Sequence, residues 1–264
     1  MRDAPRLSYL ICASPRSGST LLAATLKETG LAGAPEELFR GGIRDEARDR
    51  QTVGADAEAD VIPQLLVRST TTNGIFGTKL HGFQTSVFMR RVRAMHGEPF
   101  ASLHAALEHC LPGLRYTWIT RDDTVKEAVS YYRALMSDVW HVPRQESWDV
   151  PARVREVRFD PVAIGACQAF AEANDLYWDG YFKTHGIEPL HIVYEELARD
   201  FESVMRRVFA FLDLPVGTPV PSPATEKLAD AASAEWVARY RALAARQDYR
   251  PYSPAECARH WAPY

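Results

Sequence analysis

An apolar run, Tyr9-Leu10-Ile11-Cys12-Ala13, breaks at Ser14-Pro15-Arg16-Ser17-Gly18-Ser19-Thr20 and resumes as Leu21-Leu22. This order of residue types constrains the fold more than any other stretch of the chain. A short apolar run bounded by turn residues predicts a buried strand, and a hydroxyl-rich segment ahead of a leucine pair predicts the start of a helix. Strand, tight loop and helix in that order bring backbone N–H groups and the positive end of the helix to one point, a cradle for an anion. Gly18 lets the backbone come close to it. The spacing from Ala13 to Gly18 and Ser19-Thr20 is that of the nucleotide-binding loop G-x-x-x-x-G-K-[ST], with Ala13 at the first glycine and Ser19 at the lysine. That lysine reaches the β and γ phosphates, so its replacement argues against an ATP-cleaving or GTP-cleaving machine. The loop's cation is Arg16, whose planar guanidinium suits a 5′ phosphate flanked by a second anionic group.

Further along, Tyr116-Thr117-Trp118-Ile119-Thr120-Arg121 reads as a strand ending in a cation. Residues 122–136 follow as a helix with an acidic start and Val125, Ala128, Val129, Tyr132 and Leu135 at helical spacing. The pattern adds strands over Leu7–Ala13, 75–79 and Leu190–Val193, and helices over 20–29, 161–184 and 195–212. Strands alternating with helices predict an α/β fold: a P-loop-type, mainly parallel sheet with helices on both faces and its ligand at the carboxyl ends of the strands. The 264 residues, 46% hydrophobic, suffice for one core, and nothing like a linker or repeat divides them, so a single domain over residues 1–264 is expected. A net charge of −3 gives no basic footprint for nucleic acid. No apolar run approaches the ~20 residues of a membrane helix, and the N-terminus lacks a signal-peptide core, which predicts a soluble, cytoplasmic protein without a transmembrane segment. Cys12, Cys110, Cys167 and Cys257 stand singly, predicting free thiols and no structural metal.

The segment S-P-R-S-G-S-T-L-L, followed by G-L-A-G-A-P-E-E-L-F over residues 30–39, resembles the bacterial sulfotransferases of the trehalose 2-sulfotransferase family. The resemblance implies a loop, Ser14, Arg16, Ser17, Gly18, Ser19 and Thr20, that holds the 5′-phosphosulfate of 3′-phosphoadenylyl sulfate (PAPS). It implies Glu37, from the family's P-x-E-x-F segment, as catalytic base, and Arg121 with Ser130 as the clamp on the 3′ phosphate. The family often has R-R-N or R-P-D where this chain has Arg121-Asp122-Asp123; a second cation is replaced by a carboxylate. Gly77-Thr78-Lys79-Leu80-His81 is similar to the family's G-x-K-[LM] segment and implies that Lys79 is aimed at the sulfate. Lys227 matches a basic residue that meets the 3′ phosphate, and Tyr194 a strand-end tyrosine of structural use. Trp236 and Tyr240, one helical turn apart, are expected to pack their helix down. The family's members tend to be dimers, which implies a possible homodimer.

An acceptor hydroxyl becomes a competent nucleophile only as a base withdraws its proton. Pro35, Leu38 and Phe39 predict a partly dry turn around Glu37, with the neighbouring Glu36 pushing its pKa in the same upward direction. Glu36 is the fallback base and His81 a rival. Residues 40–72 and 137–160 match the family least and carry Trp140 and Trp148, which predicts variable walls over a carbohydrate or glycoconjugate acceptor. The expected activity is metal-free, in-line sulfuryl transfer from PAPS, releasing adenosine 3′,5′-bisphosphate. A nucleotide-dependent kinase on the same loop and a non-catalytic nucleotide-binding module are the alternatives.

Overall fold

The computed structural model describes residues 5–39, 61–97, 100–140, 152–223 and 230–246. Strands β1 (Leu7–Ala13), β2 (Ile75–His81), β3 (Leu114–Thr120) and β4 (Leu190–Val193) form a four-stranded parallel sheet in the order β2-β1-β3-β4. The helices are α1 (Ser19–Glu28), α2 (Val61–Ser69), α3 (Thr85–His96), α4 (Leu103–Cys110), α5 (Thr124–Ser137), α6 (Ala152–Arg155), α7 (Pro161–His185), α8 (Tyr194–Arg199), α9 (Phe201–Phe211) and α10 (Ala231–Ala244).

Every residue of β1 and β2 is buried, as expected for parallel strands covered on both faces. Alternation along β1 sends Leu10 and Cys12 to one face, where Phe88 of α3, Leu107 of α4 and Trp178 of α7 cover them. Tyr9 and Ile11 point to the other face, under Leu22 and Leu26 of α1 and Val204 and Val208 of α9. A third cluster joins α5, α7 and α10 through Val129, Tyr132, Ile164, Trp236 and Tyr240. The last two are buried, as their spacing predicts.

Caps set the element ends. Asp123 begins α5 by accepting from the Lys126 N–H at 3.1 Å, and Asp160 begins α7 with Pro161 in its first turn. The helix expected over 195–212 is in fact two, α8 and α9, parted at Asp200. Its N–H bonds the Glu196 carbonyl at 2.8 Å, and its carboxylate accepts from the Ser203 N–H at 3.4 Å. A short polar side chain that can cap a new helix competes with continuation of the old one. The outer edge of β2 is covered by isolated bridges from Glu36 to Thr78 and from Thr70 to Phe76. Among the described residues no helix is long and apolar enough to cross a membrane.

Candidate active site

The loop after β1 closes on itself. The Ser17 hydroxyl donates to the Ser14 carbonyl at 2.8 Å, and the Ser14 hydroxyl turns inward to the buried carboxylate of Glu127 on α5. Arg16 has a left-handed backbone, φ 73°, as does Gly18, φ 96°. Gly18 is required there: a Cβ on it would overlap the Tyr194 ring as well as strain the backbone. As the residue that begins α1, Gly18 has no side chain to satisfy the first-turn N–H groups.

Two guanidiniums meet over this loop. Arg16 Nε donates to Ser130 Oγ at 2.9 Å, and its NH1 group bonds the Trp140 carbonyl. Arg121, directly after β3, donates from NH1 to the Arg16 carbonyl at 3.3 Å, and its guanidinium lies 4.6 Å from the Tyr194 ring centre. Arg121 Nε is buried without a hydrogen bond, and Glu195 Oε1 stands 3.7 Å from it. Burial, then the nearby Arg121 charge, pushes the Arg16 pKa down to about 10. Two part-buried like charges side by side favour an anion between them. They border a cavity of about 830 Å3 that also takes in Ser19, Thr20, Ser130 and Arg241, with Leu197, Phe201 and Val237 as apolar wall. The carboxylate of Asp123 does not confront an anion here: it caps α5 and pairs with Lys126 at 2.8 Å and with Arg241 at 2.7 Å.

At the carboxyl end of β2 lies a second group. The backbone of Glu36 adds to the edge of β2, its carbonyl accepting from the Lys79 N–H at 3.0 Å and from Thr78 Oγ1 at 2.9 Å. This pins Glu37 beside the strand end. Its Oε1 lies 2.6 Å from Lys79 Nζ and 3.5 Å from His81 Nε2, and Gln84 Nε2 donates to Oε2 at 3.4 Å. Lys79 Nζ also reaches Thr20 Oγ1 at 3.2 Å, and His81 Nδ1 sits 2.8 Å from the Ala13 carbonyl. A carbonyl only accepts, so Nδ1 carries the hydrogen of that bond.

The sequence-based expectation for Glu37 needs one correction. Burial does push its pKa up, but the His81 hydrogen bond and the Lys79 and His81 charges outweigh it and hold the carboxyl well below the usual range. The supposed repulsion from Glu36 is absent because that side chain turns outward to pair with Lys27, both half-exposed. Arg16, Gly18, Ser19, Thr20, Arg121 and Ser130 line one cavity, and Glu37, Lys79 and His81 converge next to it through Thr20. The hydroxyls of Ser14 and Ser17 are engaged inside the loop, and Lys227, Trp148 and Cys257 lie outside the described residues. Sequence reasoning missed Glu127, Gln84 and the Trp140 carbonyl. Glu127 was findable, since it stands three residues before Ser130 and so shares its helix face.

The chain is 30% identical over 266 residues to the trehalose 2-sulfotransferase of Mycobacterium tuberculosis (strain ATCC 35801 / TMC 107 / Erdman), covering 90% of this chain and 96% of the relative. It is 30% identical over 271 residues to that of Mycolicibacterium smegmatis (strain ATCC 700084 / mc(2)155), covering 93% and 98%. Among solved structures it overlays the sulfotransferase domain from the curacin biosynthetic pathway with a TM-score of 0.49 at 15% identity, over 99% of this chain and 97% of the other. The sulfotransferase from Alicyclobacillus acidocaldarius gives 0.47 at 18% identity, over 93% and 97%. The family model for Stf0 sulphotransferase matches residues 8–243. With that match and with relatives aligned over nine-tenths of its length, the chain is a sulfotransferase and belongs to the Stf0 sulphotransferase family.

Proposed function

We propose that the protein transfers the sulfuryl group of PAPS to a hydroxyl of a carbohydrate or carbohydrate-containing small molecule, with Glu37 as the group that first takes the hydroxyl proton. The donor supplies an activated sulfate whose leaving group is a phosphate. The residues present suit such a ligand: an anion loop, the paired Arg16 and Arg121 guanidiniums, an Arg121 Nε buried without a hydrogen bond, and an apolar wall for a flat base. Arg16 neutralises charge that develops on the phosphate side, and Lys79 does so on the sulfate side. The two relatives named as trehalose 2-sulfotransferases make trehalose the first acceptor to try.

The observation that carries this reading is the link through Thr20. It lines the cavity of the two arginines, and its hydroxyl accepts from Lys79, which is paired with Glu37. A nucleotide cradle and a candidate base are therefore one side chain apart, which lets a bound donor and an acceptor hydroxyl meet in line. Calorimetric titration with adenosine 3′,5′-bisphosphate, beside ATP with magnesium, tests the donor class. Selective bisphosphate binding at about micromolar strength, near −8 kcal/mol, is the expected result, and preference for magnesium-ATP would replace this reading with that of a kinase. Labelled PAPS incubated with trehalose then reads the transfer itself.

A further inference from the structure

Glu37 presents a chemical difficulty as a lone base. Lys79 lies against its Oε1 at 2.6 Å, and an ammonium at that distance stabilises the carboxylate and weakens its hold on a proton. His81 offers the remedy. Its Nδ1 hydrogen is committed to the Ala13 carbonyl at 2.8 Å, a bond built by the β1–β2 register, in which Ala13 and His81 are partners. With Nδ1 so committed, Nε2, 3.5 Å from Glu37 Oε1, is the nitrogen that exchanges a proton: it is a lone pair when the ring is neutral, and once protonated it donates to the carboxylate and holds it ionised. The ring is buried and stacked on Phe83 with centroids 5.5 Å apart, so the orientation is fixed. The charged and titratable groups around the pair are Lys79 on β2 and Tyr131 on α5, with Tyr177 of α7 packed behind Gly82.

We infer that His81 is the terminal proton acceptor of the reaction, receiving on Nε2 the proton that Glu37 takes from the acceptor hydroxyl. The inference rests on the sulfotransferase mechanism proposed above. The hydroxyl O–H bond breaks and its electron pair forms the new S–O bond. The old S–O bond breaks with its pair going to the departing bisphosphate, and the proton passes through Glu37 to His81, leaving an imidazolium beside a carboxylate. The imidazolium then loses its proton to solvent. Glu37 touches the acceptor; His81 acts through Glu37 and is a proton-holding and positioning residue.

His81→Asn tests this, because the asparagine amide can keep the hydrogen bond to the Ala13 carbonyl while removing the Nε2 acceptor. The wild-type enzyme is expected to lose kcat on the acid side, because a ring that is already protonated cannot accept the proton from Glu37. His81→Asn is expected to lower kcat by about 100-fold or more, flatten that acidic limb, and leave adenosine 3′,5′-bisphosphate binding unchanged. In a second variant, His81→Gly, added imidazole is expected to restore part of kcat. An acidic limb that persists in His81→Asn, or a kcat close to wild type, overturns the inference while leaving the sulfotransferase mechanism intact. Failure of the wild-type enzyme to transfer sulfate from PAPS to any sugar overturns both.

Discussion

Two carboxyls at this site, Glu127 buried and Glu37 part-buried, are held in opposite states. Glu37 is kept ionised by Lys79 and His81, whereas burial, helped by the Asp175 charge, pushes Glu127 up to about 8. Environments that separate two acids in this way assign them different roles: Glu37 can accept a proton, and Glu127 holds one while the Ser14 hydroxyl leans on it. Glu37→Gln is expected to lower kcat by about 10²–10⁴-fold and to leave bisphosphate affinity unchanged or tighter, since Lys79 loses its counter-charge. Steady-state assays with titration of the same preparation read both. For Glu127 the effect is on stability. Its folded pKa lies above the ordinary carboxylate value of 4.5, so between roughly pH 4.5 and 8 the folded chain keeps a proton that the unfolded chain has released. Stability from this group is therefore full at low pH and declines as pH rises through that window. Glu127→Gln has nothing to titrate, so its stability relative to wild type is expected to improve by roughly 1–2 kcal/mol from pH 6 to pH 8 in urea unfolding. An unchanged difference would mean that Glu127 is already ionised in the folded protein.

At the scale of elements, the β3–α5 connection delivers the donor-side groups together: Arg121 at the strand end and Ser130 on the helix. Arg121→Ala is expected to weaken adenosine 3′,5′-bisphosphate by about 10–100-fold, the worth of a charge-assisted hydrogen bond, and to leave adenosine 5′-phosphosulfate nearly unaffected. Equal losses for both ligands would move Arg121 to the 5′ end. This pairing of strand and helix was legible in the sequence, as were β1, the loop and α1, because each rests on local period and turn chemistry. The break at Asp200 was not, since Leu197, Val204 and Val208 continue the apolar spacing across it and only the capping choice of one aspartate divides them. Nor was the true environment of Glu37. Lys79 and His81 stand 42 and 44 residues further along the chain, and they reach it only because the Glu36 backbone adds to the β2 edge. Edge addition by a short irregular segment leaves no periodic signal, so the turn read as partly dry, with Glu36 as the charge beside Glu37.

For the molecule as a whole, the strand order β2-β1-β3-β4 makes β1 the point where the chain's course reverses, first stepping to β2 on one side and then to β3 on the other. Ligands of open parallel sheets bind in the crevice at such a point. In the mechanism proposed above the crevice is partitioned: Arg121 comes from the β3 side, the proton-handling residues from the β2 side, and the loop after β1, with Arg16, lies between. A ligand spanning loop, Arg121 and α10 ties together parts of the chain that otherwise meet through separate core clusters. Binding to the folded form alone raises stability by about 2.7 kcal/mol at roughly 100 times Kd. For a chain of this size, with about 2–4 °C per kcal/mol, the bisphosphate is expected to raise Tm by about 5–10 °C. Arg121→Ala should lose most of that shift at the same concentration. Glu37→Gln should retain it, because its side chain belongs to the β2 side. Loss of the shift in Glu37→Gln would show that the two halves of the crevice are coupled before any acceptor arrives, and would place the base inside the donor site.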